Sequence, residues 1–201
     1  MRKILTLIIA VLLLAGCATT QQNAYVVPDD IKERGIAINE QVVKCIAPSS
    51  RTGLAISRDQ SPNAMFKDGW ITITEGMFQF DDNALKFVLA HEIAHQKLGH
   101  VQKAQALSLS VTGAMIVIGS IVPGAGILNH AVNPAVVNNY SKFQEDDADL
   151  EAYNACLCMG MSKDDVVTVM QSIRAAASEG GGFWDRHPSW DNRIANIQNA
   201  H

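Results

Sequence analysis

The sequence predicts an α+β fold that is mainly α, with a small β-sheet beside a central helix. Three observations carry this. Five β-favouring residues, Trp70-Ile71-Thr72-Ile73-Thr74, stand in a row between the turn signal Asp68-Gly69 and Gly76. From Asp81 the apolar period becomes helical, with Leu85, Val88, Leu89 and Ile93 on one stripe. Most of the remaining chain falls into helical segments bounded by capping residues and glycines.

In chain order, Arg2 and Lys3 precede the apolar run Ile4 to Leu14, broken only by Thr6. That run is too short to span a bilayer comfortably and reads as a signal peptide. Leu14-Ala15-Gly16-Cys17 resembles the lipobox of bacterial lipoproteins, whose cysteine is acylated and becomes the mature N-terminus. Residues 1–16 are therefore expected to be a lipoprotein signal peptide, and 17–28 a lipidated N-terminus and tether with Cys17 as the lipidation site. A lipid anchor of this kind places the following domain, 29–201, in a bacterial periplasm. Ala18 is not the Asp that marks inner-membrane retention, so the outer membrane is the expected host.

Pro28-Asp29-Asp30 opens a helix with Ile31, Ile38 and Val42 on its apolar side. Leu54 to Ser57 reads as a short strand and Ser61-Pro62-Asn63 as a turn. The helix capped by Asp81 or Asp82 is expected to run to about Lys103. Residues 107–128 carry no charge, and Pro123, Gly124 and Gly126 break them, which predicts an apolar helical hairpin insertion rather than a membrane span. Ser141 to Met159 forms the next helix, stopped by Gly160. Ser162 and Asp165 form a capping box for a helix reaching about Ser178. Gly180-Gly181-Gly182 is a loop, and Ser189 caps a last helix bearing Ile194 and Ile197.

The chain has 201 residues, 48% of them hydrophobic, enough for one domain with a real core. Its formal charge is −4 and it has no Lys/Arg cluster, which argues against nucleic acid as a partner. In an oxidising compartment Cys45 could pair with Cys156 or with Cys158. The latter two point to different faces of one helix and are poor partners for each other.

The chemistry concentrates at His91-Glu92-Ile93-Ala94-His95. Histidines at i and i+4 stand one turn apart on one helical face, so both imidazoles reach a single cation. Zinc suits that donor set, and Glu92 sits where it can take a proton from a water polarised by the ion. A catalytic zinc wants a third protein ligand. A third histidine on the same helix would follow a glycine, but Leu98 and Val101 occupy those two positions. His100 falls roughly 140° around a continuous helix from His95, so it is expected to be a surface or packing residue. The best donor is the cluster Glu145-Asp146-Asp147-Ala148-Asp149, in which only Glu145 and Asp149 share a face. Glu145 would bind the metal while Asp149 holds a ligand histidine by its other ring nitrogen. A solvated acidic patch is the competing reading.

In combination these motifs resemble the HtpX-like, CAAX-prenyl-protease-like zinc metallopeptidases (gluzincins), and within them periplasmic lipoproteins of the LoiP and BepA kind. The resemblance runs from about residue 54 to the C-terminus. It rests on Asn63-Ala64-Met65, the strand 70–74 with Gly76, the run Phe87 to His95 with Gly99-His100, Ser141 to Asp149, and His187-Pro188-Ser189 with Arg193. Met65 and Lys142 depart from the family's usual Phe and Arg. The resemblance implies a zincin-like fold with one Zn2+ per chain, and an endopeptidase that cuts unfolded or damaged polypeptides. It further implies that His187 and Arg193 lie near the metal and steady the oxyanion, and that the histidine can instead fill the open metal position and hold the enzyme off. Strand 70–74 would either offer an edge on which substrate adds as a β-strand or be an ordinary core strand. The other function class compatible with the resemblance is a chaperone or scaffold for outer-membrane protein assembly that cuts little.

Overall fold

A computed structural model describes residues 26–47, 49, 52–67, 69–100, 102–103, 106, 140–177, 187 and 190–200. The expected signal peptide with Cys17, the apolar insertion at 107–128, the triple glycine and Ser189 lie outside the described residues. The elements are α1 (Asp29–Ile46), β1 (Gly53–Ser57), β2 (Ala64–Lys67), β3 (Trp70–Thr74), a 3-10 turn (Glu75–Gln79), α2 (Asp82–Lys97), α3 (Lys142–Cys158), α4 (Lys163–Ala177) and α5 (Trp190–Asn199). The fold is thus mostly helical with one small sheet, as expected.

Helix α2 is the centre of the molecule. Asp81 caps it by accepting from the Ala84 N–H at 2.8 Å. Every residue from Phe87 to His95 is buried, so this helix is enclosed on all sides rather than amphipathic. Helix α3 packs along it, with the buried small residues Ala148, Ala152 and Ala155 that let helices approach closely. The α1 residues Ile38, Val42 and Ile46, with Ile71 and Ile73 of β3, complete the same core. Arg34 clamps α1 to the start of α2, reaching Asp82 and the carbonyls of Phe78 and Phe80.

The sheet order is β1-β3-β2, with β1 parallel and β2 antiparallel to β3. Strand 70–74 is therefore the central strand and not the edge proposed for substrate. The two edges are β1 and β2, and β2 is a strand that sequence patterning missed. Its four residues are short for a strand, and Ala-Met-Phe-Lys shows no polar alternation although burial does alternate along it. At Gly76 a side chain would collide with the Gln60 carbonyl, so only glycine fits after β3.

Helix α2 also ends earlier than expected. It stops at Lys97, and Gly99 adopts the left-handed backbone at φ 71° before helical backbone resumes at His100. Cys45 and Cys158 form a disulfide joining the C-terminal ends of α1 and α3. Burial pushes the remaining described thiol, Cys156, up to about 12. Among the described residues no helix is long and apolar enough to cross a membrane.

Candidate metal centre

Four side chains from three segments converge on one buried point. His91 and His95 face α3 from α2, Glu145 answers from the first turns of α3, and His187 closes the site from just ahead of α5. Ser141 and Gln144 form a reciprocal capping box that starts α3 and sets the register of Glu145. His91 Nε2 lies 2.9 Å from His95 Nε2 and 3.2 Å from His187 Nδ1. The Glu145 carboxylate lies 3.5 Å from His91 Nε2, 3.4 Å from His95 Nε2 and 3.0 Å from His187 Nδ1. Protons cannot bridge so many ring nitrogens at once. Ligands about 2.0–2.1 Å from a tetrahedral ion stand about 3.3 Å apart, which is the spacing found here. Three imidazole nitrogens and a carboxylate are also the donors such an ion takes. These residues fit a metal ion.

The two histidines of α2 are supported differently. His91 Nδ1 is 2.9 Å from Asp149 Oδ1, the support expected for that carboxylate. Burial lowers the His91 pKa, but hydrogen bonds to Asp149 and Glu145 outweigh it and raise it to about 9. His95 Nδ1 instead meets His100 Nδ1 at 3.0 Å, and Tyr140 stacks on its ring at 3.7 Å. Burial, with the charge of His91, pushes His95 down to about 4. The backbone break at Gly99 turns His100 inward, so the continuous-helix angle does not describe it. It is a buried packing residue, and it lies against the site.

Arg193 is engaged by the carboxylates of the site. Its Nε and Nη2 grip the two Asp149 oxygens at 2.6 and 2.7 Å, and Nη1 meets Glu145 at 2.8 Å and the His187 carbonyl at 3.0 Å. The guanidinium also lies over the Trp190 ring at 4.1 Å. With its donors so committed behind the ligands, Arg193 positions Asp149, Glu145 and His187. Burial disfavours charge on Asp149, yet the Arg193 charge holds its pKa below the ordinary range.

Glu92 sits on the β2 side, its Oε2 accepting the Phe66 N–H at 3.1 Å and its Oε1 lying 3.3 Å from His187 Nε2. Burial raises its pKa, and the hydrogen bond from His187 reverses that to a net lowering. The lowering favours the carboxylate form of Glu92. Tyr140 is the site neighbour that sequence reasoning missed, because a tyrosine before a helix cap carries no spacing signal.

Residues 32–201 match the family model described as peptidase family M48. The chain belongs to that family. It is 26% identical over 151 residues to the metalloprotease LoiP of Escherichia coli K12, covering 71% of this chain and 59% of that protein. It is 28% identical over 156 residues to the mitochondrial metalloendopeptidase OMA1 of Schizosaccharomyces pombe, covering 72% of this chain and 45% of that one. The chain spans about half the length of these relatives.

Proposed function

We propose that this chain is a zinc-dependent endopeptidase of the bacterial cell envelope, acting on unfolded or damaged polypeptides from a lipid anchor at Cys17. The observation that carries the activity is the placement of the Glu92 carboxylate between the donor cluster and the edge strand β2. His91, His95 and Glu145 would hold zinc, which when bound polarises a carbonyl and acidifies a water. Glu92 would accept a proton from the attacking water and pass it to the leaving amine. Substrate would add alongside β2 as an extended strand, where main-chain bonds dominate and side chains matter little; that mode suits unfolded chains. His187 takes the fourth place among the donors, which a hydrolytic site must leave for water. This arrangement is the resting state, and His187 must withdraw for turnover. The envelope location and lipid anchor rest on residues 1–17, and with them the membrane and outer-membrane assembly proteins as partners.

The test is cleavage of casein by the full chain, with and without a chelator. The Glu92→Gln variant should keep one zinc and lose about 10²–10⁴-fold in rate. Full activity in that variant, or wild-type cleavage indifferent to chelation, would refute the proposal.

A further inference from the structure

His95 Nε2 points into the donor cluster, 2.9 Å from His91 Nε2 and 3.4 Å from Glu145 Oε1. For that nitrogen to offer a lone pair, the proton of a neutral His95 must sit on Nδ1. The partner there is His100 Nδ1, 3.0 Å away and buried. Only one of two facing nitrogens can carry the hydrogen. We infer that His100 is a positioning residue for the metal site, accepting the His95 Nδ1–H through its own unprotonated Nδ1 and so fixing His95 as a metal-ready Nε2 donor. The inference rests on the reading of His91, His95 and Glu145 as metal ligands.

Three further observations support it. Gly99 breaks the helix with φ 71°, and without that break His100 would project elsewhere. The Tyr140 ring lies 15° from parallel with the His95 ring, so the ring plane is held as well as the proton. In the opposite assignment, His100 would donate and His95 would carry its proton on Nε2, aimed at His91 Nε2 inside the cluster. That arrangement blocks a cation. Histidine ligands in general gain orientation and basicity from the acceptor behind their second nitrogen.

The experiment measures zinc affinity of the full chain by competition with a chromogenic chelator. His100→Leu should bind zinc about 10- to 100-fold more weakly than wild type. His100→Asn, whose Oδ1 stands about where Nδ1 was, should recover most of the loss. A leucine variant within twofold of wild type, or an asparagine variant no better than leucine, would overturn the assignment. If the leucine variant does not fold, nitrogen-15 NMR of the zinc-loaded wild type decides. A proton on His100 Nε2 supports the inference, and a proton on Nδ1 refutes it. A folded wild-type chain that binds no zinc would refute the metal reading and this inference together.

Discussion

His91 and His95 sit one turn apart on the same helix, yet the fold supports them by unlike means. His91 is backed by a carboxylate, Asp149, which Arg193 in turn grips with two donors. His95 is backed by a neutral imidazole and a stacked phenol ring. The first support is ionic and reaches through α3 to α5. The second is uncharged and comes from the turn just past α2 and the residue that precedes the α3 cap. An anionic acceptor gives its ligand more basicity than a neutral one, so His91 should be the stronger donor and His95 the adjustable one.

The comparison can be broken most severely at Glu145, which touches both histidines. Glu145→Ala should abolish stoichiometric zinc, measured by elemental analysis of the purified chain. It also leaves Arg193 without one of its partners. Unchanged zinc content would show that the third ligand is another residue. Asp149→Asn tests the ionic side. Zinc affinity should fall about 100-fold, more than for His100→Leu. Unfolding free energy should fall by about 1–3 kcal/mol in a denaturant titration, because buried Arg193 loses one of its two carboxylate partners and keeps Glu145. An equal or smaller loss of affinity than at His100 would erase the proposed asymmetry. The smallest effect on metal belongs to His187→Ala, since the other three donors remain. Zinc should weaken only a few-fold while casein cleavage rises, and cleavage that falls would return His187 to an oxyanion role.

Spacing made part of this site visible without coordinates. Two histidines at i and i+4 share a helical face, and so do Glu145 and Asp149, because the helical period alone settles it. Nothing in that logic could reveal His100. Its position depends on one left-handed residue, and Gly99 reads equally well as an interior glycine or a stop. Strand β2 stayed hidden because four residues are too few for a period. With it went the recognition that 70–74 is central and that one edge faces Glu92. The motif did not reveal that the Arg193 donors are engaged by Asp149, Glu145 and the His187 carbonyl, since a motif does not say whether a guanidinium's donors are already occupied. The pairing of Cys45 with Cys158 was one of two open choices, and spacing could not decide between them; the bond leaves Cys156 as a buried thiol.

Whether His91, His95 and Glu145 hold one zinc ion can be read from anomalous diffraction by zinc-loaded crystals of the chain, recorded above and below the zinc absorption edge. One peak is expected about 2.0–2.1 Å from His91 Nε2 and His95 Nε2, with a Glu145 oxygen also bonded. No peak at that point, or a peak that leaves Glu145 uncoordinated, would contradict that assignment.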